Sequence, residues 1–531
     1  MRGYGKRPES FGRPEAFFAE IGLYCGLSIN REDFPMMLRT LSCLSFIVCL
    51  AVSSTAQPPQ ATKYDGPVTR ADLAAAYLRM ETALTTATLD EAETARVNKE
   101  FDAATLAFFG GKLGEAVKTI NELSASVVPN RPDNETYLLA ASLRASISPP
   151  VSVDVVKAAP AITVESLYST GATETAFNGH VVIANARGEV LHKRPFSVTL
   201  GPDKMAKTEL PLELGPLRLN PGRYTVGIAV SEHEFLSVGN WTLAGASLTE
   251  TSAKYAAEID ALTGSGPAFD QAKASVAARA KLLSDTPSVD NTAQFVLDAT
   301  ALTSEIASEI TVLKGGNDPF KGRTGDYWRV LKTDDKEIPL RVYLPATADA
   351  SKPLPLVVAF HGAGGDENMF MDAYGAGVLK TLADKHGFLA VSPLTYAFAG
   401  ARSGEYFDQL IAATALDYPV DPKRIYVLGH SMGGGMTNAI VAAKPDSMTA
   451  AACLCGFRGF DKKVAKIPPT LVIAAEFDPL AQPSRVEAAF KLSKDAGLSV
   501  EYQLIQGHGH TLTVGEVLPE TIEWLFSHTK P

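Results

Sequence analysis

Along the chain the spacing of apolar positions switches between helical and strand periods, and the switches divide it into segments. Over residues 64–148, as in ADLAAAYLRMETAL and LAFFGGKLGEAVKTINEL, apolar residues recur at three and four, which predicts a helical region. Over residues 160–248 the runs HVVIANARG, KRPFSVTLG, GRYTVGIAV and GNWTLAG are short, alternating or β-branched, and broken by Gly, Pro and Asn. That pattern predicts a small β-sandwich. Helical spacing returns over residues 250–314 in KYAAEIDAL, AFDQAKASVAARAKLL and TAQFVLDATALTSEIASEI, so the helices on either side of the sandwich are candidates to pack together as one unit. Over residues 320–531 two strand patterns, YWRVLKT and IPLRVYLP, precede the apolar runs LPLVVAF, FLAVSP, RIYVLG, AAACLC, TLVIAA and EYQLI, each spaced by helical segments. Apolar strands alternating with helices predict a mostly parallel, eight-stranded α/β sheet covered on both faces, its first two strands antiparallel.

A length of 531 residues supports several such units, and 46% hydrophobic residues with 20% charged ones give them enough apolar surface for packed cores. The β region has the strand spacing of an immunoglobulin-like outline and is far too short for a propeller. A net charge of −10 works against binding to a phosphate backbone, so no nucleic-acid partner is expected. The stretch MMLRTLSCLSFIVCLAVSSTAQ carries Arg39, an apolar run from Leu41 to Val52, and small residues Ser54 and Ala56 before Gln57. It reads as a secretory signal peptide starting at Met36 or Met37 and cleaved near Ala56, which predicts a secreted or periplasmic protein. Its apolar run is shorter than the roughly 20 residues that cross a bilayer, so no membrane span is expected after cleavage. Residues 1–35, without periodicity, read as a non-native extension, so 1–56 drops out of the mature chain. Cleavage removes Cys25, Cys43 and Cys49 and leaves Cys453 and Cys455, whose apolar setting suits core packing. No zinc or redox spacing is present, so neither metal nor cofactor is expected.

The chemistry concentrates after the fifth predicted strand of the last segment, at Gly429-His430-Ser431-Met432-Gly433. A serine hydroxyl needs a base to take its proton and a sharp turn to expose it, and flanking glycines between a strand and a helix permit that turn. Ser431 is therefore the candidate nucleophile. The acid is expected on the loop after TLVIAA, where Asp478 is preferred to Glu476 because it sits deeper in the turn before Pro479. The base is expected after the last strand, in QGHGHTLTV: His510 is preferred, with His508 as the alternative, because small residues before it leave the ring free to turn inward. An oxyanion hole is expected from the N–H of Met432 and that of Ala363 or Gly364, in the turn His361-Gly362-Ala363-Gly364-Gly365. His361 and His430 read as structural.

From FHGAGG through LADKHGFLAVSP, DPKRIYVLGHSMGG and FDPL to GHGHT, residues 320–531 resemble α/β-hydrolase serine esterases, in particular the secreted feruloyl and acetyl-xylan esterase and polyhydroxybutyrate-depolymerase-like group. The resemblance implies an acyl-enzyme mechanism on carboxylic esters, with family roles falling on Ser431, Asp478, His510 and the loop at Ala363. Only residues 456–469 separate the sixth and seventh predicted strands, too few for a helical cap. That predicts an open cleft for bulky or polymeric esters, polysaccharide-linked ones included, unless the front half covers it. Phe457, Arg458, Tyr396 and Phe398 are candidates to line the cleft, beside the plainer reading that they pack the core. Rival readings are a serine peptidase on the same fold and a non-catalytic surface binding protein.

Overall fold

The computed structural model describes residues 67–530, apart from 129–133, 154–159, 171–172, 203, 213–218, 233 and 350. The predicted signal peptide and the extension read before it lie outside the described residues.

Thr69 and Asp72 exchange side-chain and backbone hydrogen bonds in a capping box that starts α1 (Arg70–Leu84). Asp90 caps α2 (Glu91–Phe109), Gly110 ends it, and α3 (Leu113–Val127) and α4 (Asn134–Ala141) follow. Helical patterning is expected as far as residue 148, yet the chain is extended from Leu143. The segment LRASIS buries Leu143, Ala145 and Ile147 at alternate positions, a period of two too short to stand out behind a helix-forming run.

That segment is β1 (Leu143–Ser148); after it come β2 (Val151–Ser152), β3 (Ala161–Ser166), β4 (Thr175–Ala184), β5 (Val190–Leu200), β6 (Lys207–Pro211), β7 (Gly222–Ala229) and β8 (Phe235–Leu243). They form a three-stranded sheet, β1-β3-β6, and a five-stranded sheet, β2-β8-β7-β4-β5. One apolar core holds both: Ile147, Ile162 and Val164 of the first lie with Val181, Val226 and Trp241 of the second. Four helices come next, α5 (Leu248–Asp260), α6 (Pro267–Ala280), α7 (Thr292–Val296) and α8 (Ala299–Lys314).

The last segment runs β9 (Gly325–Lys332), β10 (Glu337–Leu344), β11 (Leu354–Phe360), α9 (Val378–His386), β12 (Leu389–Pro393), α10 (Ser403–Asp417), β13 (Val420–His430), α11 (Met432–Ala443), β14 (Ala450–Leu454), β15 (Thr470–Ala475), α12 (Pro483–Asp495), β16 (Val500–Ile505) and α13 (Thr513–Phe526). Its eight-stranded sheet has the order β16-β15-β14-β13-β11-β12-β10-β9. β10 pairs antiparallel with both β9 and β12, and the remaining pairings are parallel. The sheet is thus mixed, mostly parallel and covered by helices on both faces, as the strand pattern predicts.

Every residue of β11 is buried, as a strand covered on both faces requires. Its side chains alternate between two cores. Leu356, Val358 and Phe360 join a cluster with Ile259 of α5, Val276 of α6 and Ile306 of α8. Val357 and Ala359 join the other, with Met80 of α1, Phe101 of α2, Ile120 of α3, Leu379 of α9 and Leu518 of α13. The two helical regions therefore do not form one unit: each covers a different face of the sheet, because each carries its own apolar stripe and the sheet offers two faces to bury.

An exposed edge strand invites pairing with another chain. Here α6 covers the outer edge of β9: Gln271 Nε2 and Ser275 Oγ donate to the Val330 carbonyl at 2.6 and 3.0 Å, Arg279 donates to the Trp328 carbonyl at 2.6 Å, and Gln271 Oε1 accepts from the Lys332 N–H at 2.9 Å. Residues four apart on a helix share a face, so one turn after another reaches the same edge.

Candidate active site

β13 ends at His430 and α11 begins at Met432, leaving Ser431 alone in the bend with φ 55° and ψ −115°. A left-handed φ is costly for a serine and is held only where the surroundings enforce it. The enforcement is close packing: a Cβ on Gly433 would stand 1.9 Å from the Phe360 carbonyl oxygen, and one on Gly429 would stand 2.2 Å from the Gly433 carbonyl oxygen. Two glycines thus let strand, bend and helix approach one another, and Ser431 is left partly exposed at the carboxyl edge of the sheet.

Two later loops converge on it. His510 Nε2 lies 2.9 Å from Ser431 Oγ, and His510 Nδ1 lies 2.7 Å from Asp478 Oδ2. The other carboxylate oxygen of Asp478 accepts the N–H groups of Leu480 and Ala481, both at 2.8 Å, so the acid cannot rotate freely. Burial by itself would raise the Asp478 pKa, but the imidazole of His510 and these two amides outweigh it and hold the carboxyl below its usual range. Glu476, the other acid considered, accepts the Gly507 N–H at 2.8 Å and ties the histidine loop to the acid loop. His508 turns away, its Nδ1 2.8 Å from the Gln506 carbonyl.

His430 and His361 brace the loops. The His510 carbonyl, 2.9 Å from His430 Nε2, can only accept, so that nitrogen carries the proton and Nδ1 accepts from Tyr374 Oη at 2.8 Å. Burial first and the neighbouring His510 second push the His430 pKa down to about 3, keeping it neutral. His361 accepts the Thr395 N–H at 2.9 Å, and burial lowers its pKa to about 4.

In the glycine-rich turn the two expected donors differ. Gly364 donates its N–H to Tyr396 Oη at 2.7 Å, while no hydrogen-bond partner for the Ala363 N–H is found among the described residues. Met432 is the first residue of α11, so its N–H has no acceptor within the helix. Tyr396 therefore supports the turn. Phe457 and Phe398 are buried and Arg458 is exposed; none of these four side chains lines the cavity over Ser431.

That cavity, of about 200 Å³, is walled instead by the front half of the chain: Leu73, Ala74 and Leu78 of α1, Phe101 and Phe108 of α2 and Ile120 of α3 face Ser431, His510 and Ala363. The site is therefore covered, the condition under which an open cleft was not expected. α2 also reaches the base itself. Asn98 Oδ1 accepts the Gly509 N–H at 2.9 Å, and both carboxylate oxygens of Asp102 lie 3.0 Å from the His510 N–H. A Cβ on Gly509 would meet Asp102 Oδ2 at 2.2 Å, so the small residue before His510 makes room for this carboxylate rather than merely freeing the ring. Burial raises the Asp102 pKa to about 7, partly countered by the His510 N–H. Arg70 of α1 pairs with Asp366 at 2.8 Å, just past the glycine-rich turn, and Glu81 accepts the Gly375 N–H at 3.2 Å. None of these front-half groups follows from the sequence. The available signal is weak: Asn98 and Asp102, four apart, stand beside the apolar Val97, Phe101 and Ala104, where a solvated helix face would not place them.

Chemically, the arrangement joins a hydroxyl, an imidazole and an anchored carboxylate beside two backbone donors. Among the described residues no cluster of His, Cys, Asp and Glu is suited to a metal ion.

No protein-family model matches the chain. In sequence it is similar to a bifunctional acetylxylan esterase/xylanase of Neocallimastix patriciarum, 27% identical over 163 residues, which is 29% of this chain and 24% of that protein. It is also similar to feruloyl esterase B of Neurospora crassa, 31% identical over 123 residues, or 20% of this chain and 40% of that one. The matches thus span less than half the length of these two relatives. Among solved structures, a thermostable esterase aligns over 69% of this chain and 95% of its own at 16% identity and a TM-score of 0.35. An S-formylglutathione hydrolase of Staphylococcus aureus aligns over 38% of this chain and 98% of its own, with 16% identity and a TM-score of 0.32.

Proposed function

We propose that the chain is an exported serine carboxylic-ester hydrolase working through an acyl-enzyme. The observation that carries this reading is His510 set between Ser431 Oγ at 2.9 Å and Asp478 Oδ2 at 2.7 Å, with Ser431 opening onto a cavity. The likeness to feruloyl and acetylxylan esterases supports it.

In the first half-reaction Ser431 Oγ bonds to the ester carbonyl carbon and its proton passes to His510 Nε2. The carbonyl π-electrons move onto oxygen, which takes hydrogen bonds from the Ala363 and Met432 N–H groups. Asp478 fixes the tautomer and stabilises the imidazolium. Collapse re-forms the carbonyl, breaks the bond to the alkoxy oxygen, and returns the proton from His510 to the departing alcohol. Water then attacks the acyl-enzyme by the same steps, releasing the acid and restoring Ser431. The bulk of a large or polymeric ester remains outside, since the helical wall leaves room for only part of it. Export rests on the signal sequence at Met36 or Met37 to Ala56.

Purified mature chain should hydrolyse p-nitrophenyl acetate, leave a chromogenic peptide amide intact, and be labelled by a fluorophosphonate. Ser431→Ala should lose labelling and about a millionfold in turnover. A folded wild type that neither turns over esters nor takes the label would sink the proposal. Export is tested by fractionating cells that carry the full chain and sequencing the N-terminus of the product.

A further inference from the structure

The cavity beside Ser431 has walls of unequal chemistry, and the difference points to what enters it. On the hydrolase side stand Ser431, His510 and the glycine-rich turn; on the front-half side stand Leu73, Ala74, Leu78, Phe101, Phe108 and Phe109. The few polar groups on that second wall are already engaged. Tyr77 Oη donates to Glu81 at 2.6 Å, Thr105 Oγ1 donates to the Phe101 carbonyl at 3.1 Å, and Arg70 is held by Asp366 at 2.8 Å and Thr292 at 3.1 Å. A hydroxyl or charge placed against this wall would give up water without gaining a partner. An alkyl or aryl group would be removed from water at no such cost. At the rim, Leu78 remains 44% exposed, apolar surface left to solvent that a ligand would cover.

We infer that α1–α3 form a selectivity site for one uncharged, apolar arm of the ester, held next to Ser431. The inference rests on the reading of Ser431 as nucleophile and adds a substrate class to it. Selectivity then resides in the front half of the chain and the chemistry in the back half. Phe108 links the two, its ring lying so close over the glycine-rich turn that a Cβ on Gly364 would meet it at 2.5 Å.

The test measures kcat/KM on two homologous series with the full mature chain: p-nitrophenyl esters from acetate to hexanoate, and acetate esters of alcohols lengthened by the same steps. In one series kcat/KM should rise about fourfold per added methylene until the cavity fills. Ala74→Phe, which fills the cavity, should abolish that rise, lowering hexanoate-length substrates far more than the shortest one. Should that variant fail to fold, Leu78→Asp at the exposed rim serves instead, with an expected fall of about tenfold in the long-to-short ratio. An enzyme that takes the fluorophosphonate label but shows no dependence on length in either series overturns this inference and spares the nucleophile. So does a dependence that survives unchanged in whichever of the two variants folds. Loss of labelling and of all ester turnover in the wild type overturns the nucleophile reading, and this one with it.

Discussion

Replacing Asp102 with alanine would remove a carboxylate that makes no hydrogen bond to Ser431, and activity should nonetheless fall. The His510 N–H lies 3.0 Å from each oxygen of that carboxylate, and both residues are buried, so no bulk water stands ready to replace the acceptor. A buried donor left unsatisfied costs about 1–3 kcal/mol. If the loop relieves that cost by shifting, His510 loses its 2.9 Å contact with Ser431 and its 2.7 Å contact with Asp478 together. At about 1.4 kcal/mol per factor of ten, the loss in kcat/KM should be tenfold to about a hundredfold. It should fall mainly on kcat, because Asp102 does not line the cavity. Asp102→Asn keeps one acceptor oxygen and should recover most of the activity. A second readout is pH. The Asp102 pKa is raised from 3.8 to about 7, so the folded state holds this proton more tightly than the unfolded one. The stability from protonating Asp102 is therefore complete below about pH 4 and is lost as pH rises through about 7. Urea midpoints of the wild type, measured relative to Asp102→Asn, should decline across that window. Steady-state kinetics, fluorophosphonate labelling rates and urea titrations of the three proteins decide the matter. If Asp102→Ala loses stability but labels and turns over at the wild-type rate, the claim that α2 positions the base is refuted.

Three further outcomes follow from the same geometry. Asp478→Asn should leave the fold intact but lower kcat by about four orders of magnitude, since the amide favours the wrong His510 tautomer; steady-state assays against the wild type check it. Gly433→Ala places a methyl 1.9 Å from the Phe360 carbonyl oxygen, so thermal melts should drop by several degrees or the protein should fail to fold. Residues 315–531 alone lack Asn98, Asp102 and the α1–α3 cover over Val357 and Ala359. That fragment should aggregate or label at least about tenfold more slowly than residues 57–531, as gel filtration and labelling would reveal.

Much of the site is legible in the chain because its parts are short-range. The bend at Ser431 needs glycines two residues away on each side, and those stand in the sequence as a spaced motif after an apolar strand and before a helix. The carboxyl edge of a parallel sheet is likewise readable from strand order, which points to the loops holding Asp478 and His510. Where the sequence offers two residues of one type, the choice is made by packing. His510 is buried against α2 while His508 is held by Gln506, and Asp478 turns toward the base while Glu476 turns toward Gly507. Ala363 and Gly364 differ in the same way, because Tyr396 reaches one amide from a loop more than thirty residues away.

The front half is different in kind. Its helices announce themselves by their periodicity, and so do their apolar stripes, but a stripe does not say which surface it will cover. Asn98 and Asp102 meet a loop that follows them by 411 and 408 residues, and that meeting depends on how α2 lies across the eight-stranded sheet. The sequence by itself determined most of the helices, the succession of strands in the last segment and the reactive bend, since each is set by residues close together in the chain. Only the tertiary structure decided that α1–α3 roof the serine, wall its cavity and hold its histidine, because hydrogen bonds and packing across such separations are set by docking angles that no local pattern encodes.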